Sequence, residues 1–72
     1  MRGIATSAQD IGRVVREIRL AHGISQVALA AQLGVSQRYL SEVERGLPKI
    51  LDDRYISLLN AVGVTLAYET RD

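Results

Sequence analysis

Gln37 and Arg38 stand side by side, with Ser36 just ahead of them and Ser41 one turn further on. An amide donates and accepts at once, so Gln37 suits adenine N6 and N7. A guanidinium offers a fork of donors, so Arg38 suits guanine O6 and N7. Each such two-bond contact is worth about 1–3 kcal/mol of discrimination between bases. On a helix, Gln37, Arg38 and Ser41 fall at i, i+1 and i+4 and share a face, while Leu40 and Val43 point the other way. The same polar face is also compatible with plain solvation. Ser36 has a second role open to it, as the N-cap of the helix.

The stretch that must position these residues is 26–45, QVALAAQLGVSQRYLSEVER. Two helices crossing steeply through a tight turn leave little room at position 30, and Ala30 is small. The turn wants a residue that accepts positive φ, and Gly34 does so without steric cost. Leu29, Leu33, Val35, Leu40 and Val43 are the positions that would face inward from both helices. This spacing fits a helix-turn-helix, whose second helix enters a DNA major groove.

The flanking elements follow from periodicity. Ser7 is expected to cap a first helix, with Asp10 a shorter stand-in for the capping-box glutamate. Ile11, Val14, Val15 and Ile18 repeat at helical spacing, and Gly23 ends the run. Ser25 caps a second helix, 26–33, and Ser36 a third, 37–45, stopped by Gly46 before Pro48. Leu51 or Asp52 opens a fourth near 53–62, with Tyr55, Leu58, Leu59 and Val62 on its inner side, and Gly63 closes it. Then Val64, Leu66 and Tyr68 alternate with Thr65, Ala67 and Glu69, which reads as a short β-strand over 64–69. A lone strand needs a partner, most simply the same strand of a second copy. A frayed helix extension or a loose tail is the other reading of this segment.

Size and composition set limits. Seventy-two residues make one small domain spanning 1–72, with a modest core that dimerisation would help to stabilise. There is no cysteine, so disulfides and thiolate metal sites are excluded. No apolar run approaches a membrane span of about 20 residues. The first ten residues lack the apolar core of a secretory signal, so a cytoplasmic protein is expected. The net charge is only +1, but residues 11–49 hold six basic and three acidic residues, and residues 50–72 hold two basic and four acidic ones. The helix-turn-helix half is therefore the basic half, although chance alone could produce counts this small. Enzyme chemistry has little to stand on. His22 is the only histidine and suits a helix C-terminus. No Ser/His/Asp set, metal-ligand cluster or phosphate-cradling glycine loop is present. No cofactor and no metal are expected.

Four short helices, with Ile11 to Arg19, Gly23-Ile24-Ser25-Gln26, Leu29-Ala30, Leu33-Gly34-Val35-Ser36, Leu40-Ser41 and Glu44-Arg45-Gly46, resemble the Cro/repressor-type (Xre-like) helix-turn-helix family over about residues 10–63. The short loop at Gly46-Leu47-Pro48 and the strand after the fourth helix are similar to its HipB-type antitoxin branch. The resemblance implies a mainly α fold: four to five short helices of a lambda-repressor-like DNA-binding domain with a short C-terminal β-strand. It places base-reading side chains at Ser36, Gln37, Arg38 and Ser41. It places Gln26 against the DNA backbone, where it orients the recognition helix. Ser25, at the same helix N-terminus, is a further phosphate candidate, with simple capping as the alternative. Tyr39, Arg45 and Lys49 are phosphate candidates on the flanks, or solvated surface residues. The positions of Arg19 and Glu44 imply a structural ion pair joining the first helix to the end of the third.

Two features depart from the family pattern. Glu42 lies near the recognition face and would repel phosphate unless it meets a cytosine N4 or pairs with Arg38 or Arg45. Leu51-Asp52-Asp53 intrudes where a hydroxyl cap and leucine are usual, so the path of 47–53 is open. The function expected is a sequence-specific regulator of double-stranded DNA transcription: a homodimeric autorepressor on an inverted-repeat operator. Its dimer interface would use Val62, Val64, Leu66 and Tyr68. It could be the antitoxin of a pair, with a cognate toxin as partner. The rival reading is a protein-interaction module that holds a partner without reading DNA.

Overall fold

The structure, a computed structural model, describes residues 7–48 and 52–66. Four helices follow one another: α1 Ala8–Ala21, α2 Gln26–Leu33, α3 Gln37–Glu44 and α4 Asp53–Ala61. Each begins on a side-chain cap. Ser7 Oγ accepts from the Asp10 N–H at 3.1 Å, Ser25 Oγ from Ala28 at 3.1 Å, Ser36 Oγ from Tyr39 at 3.0 Å, and Asp52 Oδ1 from Tyr55 at 2.8 Å. Each cap satisfies an amide that the helix itself leaves unpaired. Asp52, not Leu51, therefore opens α4. Helices α3 and α4 each end one residue earlier than the periodicity suggests, with Arg45 and Val62 as their C-caps.

The turn between α2 and α3 closes through Gly34, at φ +71. Val35 N–H reaches Ala30 C=O at 3.0 Å and Gly34 N–H reaches Ala31 C=O at 3.3 Å. This pair of bonds satisfies orphan carbonyls of α2 and turns the chain sharply into α3.

The core is built from Val15 of α1, Leu29 and Ala30 of α2, Tyr39, Leu40 and Val43 of α3, and Tyr55, Leu58 and Leu59 of α4. Ile11, Ile24, Leu33, Val35, Val62, Val64 and Leu66 are half-buried against it. Helix α3 packs across both α1 and α2. Its contact with α1 is unusually close at Gly12. A Cβ there would meet the carbonyl oxygen of Val43, and would lie 2.7 Å from that of Glu44. A glycine inside a helix costs roughly 1 kcal/mol relative to alanine. Here it lets the α1 backbone seat directly on the last turn of α3. Gly46 serves the same seam from the other side, since a Cβ there would lie 2.6 Å from the Gln9 Cα.

The expected C-terminal strand has no counterpart among the described residues. Residues 64–66 carry no regular secondary structure, and Val64 N–H instead closes the end of α4 by donating to Leu59 C=O at 2.8 Å. The rest of that segment, including Tyr68, lies outside the described residues, as does Lys49.

Candidate nucleic-acid interface

The outward side of α3 is polar. Ser36, Gln37 and Arg38 are exposed and Ser41 is half-buried. Leu40 and Val43, on the opposite side, are fully enclosed. Gln37, Arg38 and Ser41 are thus brought onto one accessible face, and Ser36 stands at its head as the N-cap. Arg38 Nε lies 3.8 Å from Glu42 Oε2, a long, solvent-exposed pair. That pairing answers the charge conflict posed by Glu42, because the carboxylate has a cation one turn away. Arg45 Nε donates to the Ser41 carbonyl at 3.3 Å, which draws the side chain back along its own helix.

One margin of this face is closed by a buried network. Arg19 Nε donates to Glu44 Oε2 at 2.7 Å and Arg19 Nη2 to Glu44 Oε1 at 3.1 Å. Arg19 Nη1 also donates to the Ile24 carbonyl at 2.9 Å. Gln26 Nε2 adds a bond to Glu44 Oε1 at 3.1 Å. The network ties the end of α1, the turn after it, the start of α2 and the end of α3 together. The Glu44 side chain is only 2% exposed and that of Arg19 10%, so each charge depends on the other for solvation. The hydrogen bonds that Arg19 donates to Glu44 push its pKa above the ordinary value, against the opposing effect of burial. Gln26, expected on the DNA backbone, therefore has an internal partner through its amide nitrogen. Its amide oxygen takes no part in that bond. Ser25 is exposed beside it and its hydroxyl is engaged as the cap of α2.

The other margin differs from expectation. Tyr39 is a core residue, 8% exposed, and not a solvated flank residue. The ring packs inward with Leu40 and Val43 because positions 39, 40 and 43 fall within one arc of the helix. That adjacency was legible in the sequence. What covers the ring was not: the Arg54 guanidinium of α4 sits 3.7 Å from its centroid. Neither Arg54 nor Gly12 stands out from residue type and spacing alone. The only signal for Gly12 is a glycine in the middle of an otherwise strong helical stripe.

The residues expected at a dimer contact are divided. Val62, Val64 and Leu66 are half-buried against the chain's own core, so part of their apolar surface is already covered. Among the described residues, no helix is long and apolar enough to cross a membrane.

Comparison with known proteins adds to this geometry. A helix-turn-helix family model matches residues 15–68. Among solved structures, the chain is similar to the restriction-modification controller protein C.AhdI from Aeromonas hydrophila, with 31% identity over 81% of this chain and 88% of that one, and a TM-score of 0.65. It is similar to the hypothetical transcription factor NHTF from Neisseria, with 30% identity, 90% and 79% coverage and a TM-score of 0.58. A HipB variant in complex with an O2 20mer superposes over 100% of both chains with a TM-score of 0.77 at 15% identity, a likeness of fold alone. A search of curated proteins gave no match.

Proposed function

Because this chain belongs to the Cro/repressor-type (Xre-like) helix-turn-helix family of DNA-binding transcription regulators, we propose that it is a homodimeric repressor reading an inverted-repeat operator through α3. The carrying observation is the exposed polar face of Ser36, Gln37, Arg38 and Ser41 on a helix whose other side is locked into the core. Gln37 and Arg38 supply base contacts, and Ser36 and Ser41 lie beside them. Ser25, Gln26, Arg45 and Lys49 supply contacts to phosphates, which position the protein without reading sequence. The likeness to a restriction-modification controller and to a transcription factor supports this reading.

In the dimer, two copies of α3 enter successive major grooves about 34 Å apart. Val62, Val64, Leu66 and Tyr68 form the contact between copies. Deleting residues 64–72 then weakens dimerisation and operator affinity together. A truncated protein that sediments as a dimer and binds normally would overturn that part. An antitoxin role adds a cognate toxin as second partner, and a tagged chain that purifies from its own cells without a second protein would argue against it.

The deciding experiment is binding of the purified protein to DNA from directly upstream of its own gene. It is titrated against salt and against random DNA, with Arg38→Ala beside the wild type. Tight wild-type binding that is lost selectively in the variant supports the reading. Equal, weak and salt-sensitive binding to both DNAs overturns specific readout and leaves only the generic phosphate attraction.

A further inference from the structure

Arg54 is exposed, yet its guanidinium carbon lies 3.7 Å from the centroid of the Tyr39 ring. Tyr39 is itself fixed, being 8% exposed and part of the core. A ring held that firmly is a platform, and an arginine stacked on it gives up much of its freedom to sweep through solvent. Stacking uses the π-face of the guanidinium and leaves its N–H edge free in the plane, the geometry that grips phosphate with two bonds. Among the described residues, Arg13, Arg19 and Arg38 each pair with a carboxylate. Arg54 has no such pair among the described residues.

The stack is also in a useful place. Around α3, Tyr39 lies about 100° from Arg38 and about 60° from Glu42. Glu44, at the opposite margin, lies about 20° from Gln37. Arg54 therefore borders the polar face along the edge that the Arg19–Glu44 network does not close. Two carboxylates precede it in sequence. Asp52 is engaged in capping α4, and Asp53 is an exposed first-turn residue about 100° around that helix from Arg54.

From these observations we propose that Arg54 is a DNA-phosphate contact residue and that Tyr39 is its positioning residue. The inference rests on the DNA-binding reading above. Such a contact carries charge and no sequence information, so it has its own signature in the salt dependence of binding.

The test is the slope of log affinity against log salt for a short mixed-sequence duplex and for the upstream DNA. The proteins are the wild type, Arg54→Gln, Tyr39→Phe and Tyr39→Leu, each checked for helix content and melting temperature. Arg54→Gln should lower the magnitude of the slope by about 0.9 per protomer and weaken both DNAs in the same proportion. Tyr39→Phe keeps the ring and should leave the slope unchanged. Tyr39→Leu should weaken binding to both duplexes while its helix content stays native. An unchanged slope in Arg54→Gln overturns the proposal and leaves the DNA-binding reading standing. A wild type with no salt-dependent binding to either duplex overturns both. Because Arg54 is exposed, loss of fold does not obscure its variant.

Discussion

The two margins of α3 solve different problems with the same kind of residue. At one margin Arg19 is enclosed, paired twice with Glu44, and bonded to the Ile24 carbonyl. At the other, Arg54 lies over an aromatic ring and is exposed to solvent. An arginine turned inward with all its partners supplied holds helices at a fixed angle. An arginine turned outward, with no carboxylate paired to it among the described residues, is available to something else. The polar face between them is held from one side by charge and from the other by a ring.

Breaking the enclosed margin should have the largest effect. Glu44→Ala strands the Arg19 charge and should cost about 3–5 kcal/mol, read as a lower urea midpoint. Replacing both partners by apolar residues of similar size should recover most of that loss, because no charge is left unpaired. Recovery that fails would mean the network does more than satisfy itself. Next comes the seam beneath it. Gly12→Ala drives a methyl into the carbonyls of Val43 and Glu44. It should cost about 1–3 kcal/mol and reduce DNA binding as well, since α1 and α3 must separate.

A smaller effect, of opposite sign, is expected behind the open margin. The Tyr55 hydroxyl is buried without a hydrogen-bond partner among the described residues. Tyr55→Phe should therefore stabilise the protein by about 1 kcal/mol, the low end of the range for an unsatisfied buried group. Burial, and to a lesser degree the neighbouring Tyr39, raises the Tyr55 pKa above the ordinary phenol value of 10.0. The unfolded chain then loses this proton first as pH rises. The contribution is intact below about pH 10 and is lost as pH climbs toward the folded-state pKa. Melting temperature against pH should decline in that range, and less steeply in Tyr55→Phe. The smallest change in stability should come from Glu42→Gln on the open face. Its pair with Arg38 is long and exposed, so the cost should be under about 1 kcal/mol. DNA affinity should rise instead, as one negative charge leaves the interface.

The helices and their caps were largely legible in the sequence, and the reason is local. Ser7, Ser25 and Ser36 each sit three residues before the amide they bond, and the glycines follow the last apolar position of each helix. The polar face of α3 was legible for the same reason, since Leu40 and Val43 fix which side is buried. Contacts between distant segments were not legible from residue type and spacing alone. Nothing near Gln26 announces that its amide meets Glu44 eighteen residues later. Nothing near Tyr39 announces Arg54, because that pairing depends on where the loop after α3 sets down α4. The family resemblance, and not periodicity, identified Arg19 with Glu44. The tail alternates like a strand from Val64, but Val64 N–H is used at the end of α4, and most of that segment lies outside the described residues.

Gln37 and Arg38 are exposed and lie outside the core. Substitutions at these two positions are therefore cheap for folding, whatever they do to recognition. If α3 reads DNA as proposed, a lineage carrying this chain can retune its target by single steps at these positions without first acquiring a stabilising change elsewhere, while Gly12 and Glu44 stay fixed. In the laboratory, the same separation makes positions 37 and 38 the natural pair to randomise when testing the proposed readout.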